Sequence, residues 1–147
     1  MNLSFRYKLL ISAGIIAFAS AIWHLLCILG GPSWFAFARA PQAIIDSAQQ
    51  GTWLAPIGTI IVASLMAACT VFAFSAAGII GKVPLLKPAL ITIAVLCILR
   101  GLIAIPLLMT TIDIWETVAS SVWFYVGICF SLGSIEFHKH NKLAQSE

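Results

Sequence analysis

Four long apolar stretches constrain this chain more than any other feature of its sequence. They run near Leu9–Leu29, Trp53–Ile80, Pro88–Met109 and Thr117–Glu136. The hydrocarbon core of a bilayer is about 30 Å thick, and a helix of roughly 20 apolar residues crosses it. Lipid offers the backbone no hydrogen-bond partners, so uninterrupted apolar stretches of this length predict helices and not the alternating strands of a barrel. We therefore expect a bundle of four transmembrane helices.

The composition excludes the common soluble classes. Charged residues make up 9% of the 147 residues and hydrophobic residues 61%, whereas soluble proteins have about 25% and about 45–50%. So few charges cannot cover a water-exposed surface, and disordered chains and secreted disulfide scaffolds need compositions that this chain lacks. The sequence indicates an all-α, polytopic membrane protein with a single domain that spans residues 1–147.

The distribution of cations predicts the orientation in the membrane. Cytoplasmic loops and tails retain Lys and Arg. Six cations would share one side of the membrane, namely Arg6, Lys8, Lys82, Lys87, Lys139 and Lys142, whereas the first loop has only Arg39. We expect both termini to be cytoplasmic, in a bacterial inner membrane.

An alternative interpretation concerns the first stretch. Arg6 and Lys8, followed by an apolar run to Ala19-Ser20-Ala21, also resemble a signal peptide with a small-residue cleavage site. Cleavage there would leave three spans and an N-terminus outside. The apolar run continues to Leu29, which favours a retained helix.

Turn-forming residues predict where the helices end. Gly30-Gly31-Pro32 should end the first helix, and Thr52 should cap the second. Gly81 and Pro84 should end the second helix, so that its connection to the third is very short. Such a connection makes those two helices antiparallel neighbours.

Stripes of small residues predict the packing faces, because membrane helices associate where backbones approach closely. The first helix has Ala13, Ala17 and Ala21 at four-residue spacing. The second and fourth helices have further pairs of small residues, namely Ser64 with Ala68, Ala73 with Ala77, and Gly127 with Ser131. These stripes are typical of any four-helix bundle and do not by themselves indicate a function.

The first loop, residues 30–52, is the only long connection between the apolar stretches. Its aromatic and aliphatic side chains are too apolar to float freely in water. Pro41 can start a short helix with Ile44, Ile45 and Ala48 on one face. We expect an interfacial or re-entrant segment at the outer surface, or alternatively an outer lid over the bundle.

Two ionisable residues lie well inside the apolar stretches, His24 and Arg100. Such residues are costly in a membrane and are candidate functional sites. His24 shares the face of the first helix that carries Ala17 and Ala21. It can be a neutral imidazole bonded to a neighbouring helix, a proton relay or a ligand-binding group.

Arg100 needs an anion, because its guanidinium stays charged at any cellular pH. Glu116, Asp113 and Asp46 are candidate counter-ions, and Glu116 is favoured because it opens the fourth helix, where the dipole stabilises a carboxylate. The alternatives are an ion pair that joins helices three and four, a site for an anionic ligand, and an Arg100 that reaches to the headgroups.

The five tryptophans all fall near the predicted outer end, namely Trp23, Trp34, Trp53, Trp115 and Trp123. Aromatic belts usually occupy both interfaces. The asymmetry suggests an aromatic-walled outer cavity around His24 and Arg100, to which the loop residues Trp34 and Arg39 would contribute. The alternative is a belt on one side only.

Motifs for most enzyme classes are absent from the sequence. There is no Gly-rich phosphate loop, G-x-S-x-G elbow, His-Glu-x-x-His or basic nucleic-acid-binding patch. No His, Cys or carboxylate stands at metal-ligand spacing beside His24, and the four cysteines form no CxxC motif. We predict no catalytic or metal-ligating residue, and the sequence names no cofactor.

The chain resembles small four-helix bacterial inner-membrane proteins of uncharacterised function. The resemblance lies in His24-Leu25, in Gly30-Gly31-Pro32-x-Trp34-Phe35, in Arg39-Ala40-Pro41 and in Leu99-Arg100-Gly101. In size and helix count the chain is similar to the DoxX-like group, whose members have been associated with quinone-linked redox systems. The resemblance implies an architecture, and it assigns no role to a particular residue.

Three functions are compatible with these sequence features. The first is a binding or accessory protein with an outward-facing pocket for an anionic or amphiphilic molecule, a lipid or a quinone, lined by His24, Arg100, Glu116, Asp113, Trp34 and Arg39. The second is a small dimeric transporter, although the first helix lacks the carboxylate that cation exporters need. The third is a membrane enzyme that uses His24 and Arg100. We expect the first, with the bilayer and a homodimer or larger membrane complex as partners.

Overall fold

A computed structural model describes the backbone of residues 3–108 and 114–144, and the side chains of residues 7–102 and 114–135. Every regular element in those ranges is a helix. In chain order they are α1 (Leu3–Gly30), α2 (Pro32–Phe37), α3 (Gln42–Gln49), α4 (Leu54–Ala76), α5 (Leu86–Leu108) and α6 (Ile114–Ala144). The prediction of an all-α fold is confirmed for this part of the chain.

Three helical segments are long and apolar enough to cross a membrane. They are Tyr7–Gly30 in α1, Leu54–Ala76 in α4 and Ile114–Ile135 in α6. At about 1.5 Å per residue each exceeds the roughly 30 Å of a hydrocarbon core. They correspond to the first, second and fourth predicted spans. The third predicted span, Pro88–Met109, coincides with α5 up to Leu108, and Met109 lies outside the described residues.

The chain divides into two compact units. Unit 1 consists of Met1–Ile15 with Val71–Glu147, and unit 2 of Ile16–Thr70.

Close contacts at glycines position the helices of unit 1. A Cβ on Gly101 would lie 2.7 Å from Cβ of Phe124, and one on Gly127 would lie 2.9 Å from the backbone nitrogen of Ile98. Gly101 of α5 thus lies opposite Phe124 of α6, whereas the earlier residue Ile98 lies opposite the later residue Gly127. The two helices therefore pack antiparallel. At Gly133 the side chain of Leu10 on α1 fills the space that a Cβ would need. The small-residue face predicted at Gly127 is therefore a real packing face.

The connection from α4 to α5 corrects the predicted end of the second helix. α4 ends at Ala76 and not at Ile80. Gly78 takes the left-handed conformation with φ 73°, and the N–H of Ile79 donates to the carbonyl of Phe74 over 2.9 Å. This is a glycine-type helix end. The buried Ser75 hydroxyl then accepts the N–H of Val83 over 3.0 Å, which orders the loop.

In unit 2 the first loop packs on the end of α1 and the start of α4. Cys27, Phe35 and Ala55 form a buried cluster. The partly buried side chains that pack against this cluster include Ile44, Ile45 and Ala48 of α3. The predicted helix after Pro41 and its apolar face are thus confirmed, whereas α2 was not predicted.

The N-terminus of α4 is capped differently from the prediction. The backbone N–H of Ala55 donates to the hydroxyl oxygen of Ser47 over 2.9 Å. Thr52, which the sequence suggests as the cap, instead pairs its hydroxyl with that of Ser47 at 2.6 Å. Ser47 is buried and belongs to α3, so the predicted role of Thr52 is wrong because the cap comes from a tertiary contact.

The burial pattern confirms one small-residue stripe and corrects another. Ala13, Ala17 and Ala21 of α1 are all buried, as expected for a packing face. On α4, however, Ser64 is exposed, and the buried side chains lie on a different face. That face carries Ala55, Thr59, Ala63, Thr70 and Ala73. All four cysteines are free thiols.

Candidate functional site

A concave feature of unit 2 is an open cavity between α1 and α2. Its volume is about 330 Å³, and it is lined by Trp23, Ser33, Trp34 and Phe37. The ring centroids of Trp23 and Trp34 lie 5.8 Å apart, and those of Trp23 and Phe37 lie 6.1 Å apart. These spacings are those of interacting aromatic pairs. Three rings and one hydroxyl therefore form the walls, and we call this feature the aromatic cavity.

Two consecutive glycines explain why α2 folds back to make the aromatic cavity. The indole of Trp34 lies directly against Gly30, in the space that a Cβ there would occupy. Gly31 has φ 70° and ψ −158°, a combination that only glycine adopts readily. Pro32 then opens α2, where its missing N–H costs nothing. The segment Gly30-Gly31-Pro32-x-Trp34 thus both ends α1 and places Trp34 at the cavity.

The mouth of the aromatic cavity is open. Trp34 is 40% exposed and Phe37 is 64% exposed. The hydroxyl of Ser33 donates a long hydrogen bond of 3.4 Å to the carbonyl of Gly30, at the end of α1. A ligand can therefore reach the rings from outside the unit, and it would meet one weakly engaged hydroxyl.

His24 follows Trp23 on α1 and makes a local hydrogen bond. Its Nδ1–H donates to the carbonyl of Ser20 over 2.7 Å. This hydrogen bond lies within α1. It differs from the predicted alternative in which His24 bonds to a neighbouring helix. Because a carbonyl oxygen only accepts hydrogen bonds, Nδ1 carries the proton in this bond. Nε2 is then the ring nitrogen that can interact with a ligand.

Arg100 in unit 1 is paired across α5 and α6. Its Nη2 lies 2.7 Å from Oε1 of Glu116. Its Nη1–H donates to Oγ of the buried Ser120 over 3.2 Å. The favoured counter-ion, Glu116, is therefore the one that Arg100 meets. The two charged side chains are 42% and 32% exposed, so the pair is not sealed inside the unit.

The other predicted site residues lie as follows. Arg39 is exposed at the end of α2 and takes a left-handed conformation with φ 56°. Its N–H donates to the carbonyl of Ala36 over 3.1 Å, as part of that helix end. Asp113 lies outside the described residues. Asp46, in α3, accepts a hydrogen bond of 2.7 Å from the side chain of Gln42.

Within each unit the structure brings some of the predicted residues together. In unit 2, Trp34 joins Trp23 at the aromatic cavity, and in unit 1, Arg100 joins Glu116. Sequence reasoning missed Ser33 and Phe37 as cavity residues. The signal that marks them is the glycine pair followed by Pro32 and an aromatic run, which predicts a tight reversal as well as a helix end.

The chemistry available at these groups is that of binding. Within residues 7–102 and 114–135, no three His, Cys, Asp or Glu side chains gather where they would hold a metal ion. The aromatic cavity supplies apolar surface and a hydroxyl, and the Arg100 group supplies a charge that Glu116 neutralises.

Comparison with protein-family models, with curated proteins and with solved structures finds no match.

Proposed function

We propose that this chain is a multi-pass protein of a bacterial inner membrane with four spans, α1, α4, α5 and α6. Support comes from three segments that are long and apolar enough to cross a membrane, together with the 23 residues of α5, about 34 Å at the usual helical rise. The excess of Lys and Arg in the tails and in the α4–α5 loop supports a cytoplasmic location for both termini. The α2–α3 segment then lies at the outer interface.

Reporter fusions test this topology. Alkaline phosphatase, which is active only outside the cytoplasm, should be inactive when fused after Glu147 and active when inserted within Ser33–Ala48. The opposite pattern would reverse the orientation, and equal activity at both sites would contradict an even number of spans.

The function that the geometry supports best is binding of an amphiphilic molecule, a lipid or a quinone, in the aromatic cavity. The observation that carries this proposal is a cavity of about 330 Å³ walled by Trp23, Trp34 and Phe37. Ligand pockets are concave, mostly apolar and about 300–1,000 Å³ in volume, with a few polar groups that orient the ligand. A cavity at the lower end of that range suits one ring or one headgroup.

The contacts of Arg100 favour this cavity over the anion site that the sequence also suggested. Glu116 already supplies the negative charge, at 2.7 Å from the guanidinium. An anionic ligand at Arg100 would have to displace a carboxylate held on the same helix face as Ser120. The aromatic cavity has no such competitor among its lining residues.

Lipids and quinones that copurify with the detergent-extracted protein test the binding function. Trp23→Leu removes one wall of the aromatic cavity, and Trp53→Leu is the matched control, because Trp53 is 78% exposed and is not a lining residue. We expect mass spectrometry to find an amphiphile that wild type and Trp53→Leu retain and Trp23→Leu loses. Equal retention by all three proteins would contradict the proposal.

A further inference from the structure

The loop between α4 and α5, residues 77–85, carries positive charge without a nearby carboxylate. It contains Lys82, and Lys87 follows in the first turn of α5. No Asp or Glu occurs in the sequence between Asp46 and Asp113, a stretch that includes all of α4 and α5. The charge of this loop is therefore not balanced by an acidic side chain from the loop or from the two helices that it joins.

Lys82 is held in place through both of its neighbours. The hydroxyl of Ser75, a buried side chain in the last turn of α4, donates to the carbonyl of Gly81 over 3.1 Å and accepts the N–H of Val83 over 3.0 Å. Lys82 itself is exposed, and no hydrogen bond or ion pair joins it to another residue in the described part of the chain. Lys87 is also exposed but already interacts within the chain, so Lys82 is the cation that can meet a ligand.

The same loop exposes large aliphatic side chains. Ile79 is 53% exposed and Leu85 is 77% exposed. Leu85 has φ 59°, a left-handed conformation that strains a leucine, and the next residue, Leu86, is buried. The loop thus buries one leucine and displays the other. Packing among the described residues does not explain a strained, exposed leucine in a loop that also fixes an exposed lysine.

The loop begins where a candidate span ends. The segment Leu54–Ala76 is long and apolar enough to cross a membrane, and residue 77 follows it directly. In the proposed topology such a loop lies at the level of the headgroups, where aliphatic side chains enter the acyl region and Lys reaches the phosphates. Anionic lipids attract Lys near the membrane surface. A zwitterionic lipid, whose own ammonium balances its phosphate, gains no such net attraction.

We propose that the α4–α5 loop binds an anionic phospholipid of the cytoplasmic leaflet, with the phosphate at Lys82 and the acyl region against Ile79 and Leu85. This surface shares no residue with the aromatic cavity, and its assignment rests on the proposed membrane topology. A bilayer lipid fits the loop better than a soluble anion does, because a soluble anion would leave the aliphatic side chains exposed to water.

Competition between two lipids with the same acyl chains tests the proposal. Phosphatidylglycerol is anionic, and phosphatidylethanolamine is zwitterionic. The full chain in detergent micelles that contain both lipids at equal concentration is analysed by native mass spectrometry, which distinguishes the bound lipids by their masses. We expect the first bound lipid to be phosphatidylglycerol in preference to phosphatidylethanolamine by about fivefold, the gain that one Lys near an anionic surface supplies.

Variants assign the preference to the loop. Lys82→Gln should remove most of it, and Lys82→Arg, which keeps the charge, should retain it. Lys8→Gln is the matched control, because Lys8 is another exposed cation of unit 1 and its loss changes the net charge equally. Ser75→Ala leaves the charge unchanged but releases the residues on both sides of Lys82, so it should lower the preference. Ser121→Ala, which removes a hydroxyl bonded within α6, should not lower it.

Leu85→Asn tests the apolar part of the surface. Asn tolerates the left-handed conformation, so this variant removes the aliphatic side chain and keeps the backbone. We expect it to retain less phosphatidylglycerol than the wild type. Unchanged retention would overturn the contact between Leu85 and the lipid.

The outcomes separate this site from the topology on which it rests. Equal losses in Lys82→Gln and Lys8→Gln would indicate attraction by net charge alone and overturn a site at Lys82. Equal retention of the two lipids by the wild type would overturn the anionic-lipid assignment and favour a protein partner for the loop. Alkaline phosphatase that is active when inserted after Lys82 would instead overturn the cytoplasmic location of the loop.

Discussion

Arg100 of α5 and Glu116 of α6 form an ion pair at 2.7 Å. Ser120 lies one helical turn after Glu116, and its hydroxyl oxygen accepts a hydrogen bond of 3.2 Å from the second guanidinium nitrogen of Arg100. The Ser120 hydroxyl is in turn 3.5 Å from the same carboxylate oxygen. The three side chains join two helices that pack antiparallel. Because Glu116 lies in the first turn of α6, the helix dipole also stabilises its charge.

The first prediction is an asymmetry between the two members of this pair. Glu116→Gln leaves a guanidinium in a half-buried place without its anion, whereas Arg100→Leu leaves a carboxylate at a helix N-terminus, where water and the dipole stabilise it. We expect Glu116→Gln to lower the free energy of unfolding by about 1–2 kcal/mol and Arg100→Leu to lower it by less. Unfolding in mixed micelles measures both, with Ser121→Ala as the control on α6. A larger loss for Arg100→Leu would contradict the prediction.

The second prediction concerns the closest approach of α5 and α6. A Cβ on Gly127 would lie 2.7 Å from Cγ1 and 2.9 Å from the backbone nitrogen of Ile98. Backbone cannot move aside as a flexible side chain can, so Gly127→Ala should destabilise the protein by about 1–3 kcal/mol.

The control for that variant is Gly58→Ala, another substitution inside a helix. The nearest atom to a Cβ at Gly58 is Cδ1 of Ile44 at 3.7 Å, an ordinary contact. Alanine is also the better helix former, so this variant should be neutral or more stable by about 0.5–1 kcal/mol. Equal thermal stability of the two variants would contradict the described packing of α5 on α6.

The third prediction concerns the turn that shapes the aromatic cavity. Gly31 has φ 70° and ψ −158°, where any side chain is strained. Gly31→Ala should therefore displace α2 and reduce amphiphile binding, even though a Cβ there would meet nothing within 4 Å. Gly81→Ala is the control, because Gly81 has open space around it and is not among the residues with positive φ. Unchanged amphiphile binding in Gly31→Ala would show that α2 does not form part of the binding site.

The fourth prediction concerns the cap of α4. Ser47→Ala removes the acceptor of the Ala55 N–H and should cost about 0.5–2 kcal/mol of stability. Thr52→Ala should cost less, because the Thr52 hydroxyl bonds to Ser47 and not to an N–H of α4. Hydrogen exchange at the first turn of α4 measures the loss locally. Faster exchange in Thr52→Ala than in Ser47→Ala would contradict this account and support Thr52 as the capping residue of α4.

Some of these features follow from local sequence signals. The apolar runs predict the long helices, and Gly30-Gly31-Pro32 predicts the end of α1 because glycine and proline act on their own backbone. Pro41 with Ile44 and Ile45 predicts α3 by the same kind of local pattern. The pairing of Arg100 with Glu116 was also predictable, since a guanidinium in an apolar helix needs a nearby anion.

Other features depend on contacts that a single sequence does not display. Ser47 caps α4 because α3 folds against the start of that helix, and its position in the sequence gives no sign of this. α2 has only six residues, too few for a helical period to be read. Ser64 is exposed although its spacing matches a packing stripe. Small residues are frequent on every face of α4, so their spacing does not identify the face that packs.

The measurement that tests the central claim most directly is photo-crosslinking of a phospholipid with a photoreactive headgroup, followed by mass spectrometry of the labelled peptides. Labelling should concentrate on the segment around Trp23 and on Ser33–Phe37, and it should fall in Trp23→Leu but not in Trp53→Leu. Labelling centred on the Arg100–Glu116 pair, or spread evenly over the exposed apolar side chains, would contradict a binding site in the aromatic cavity.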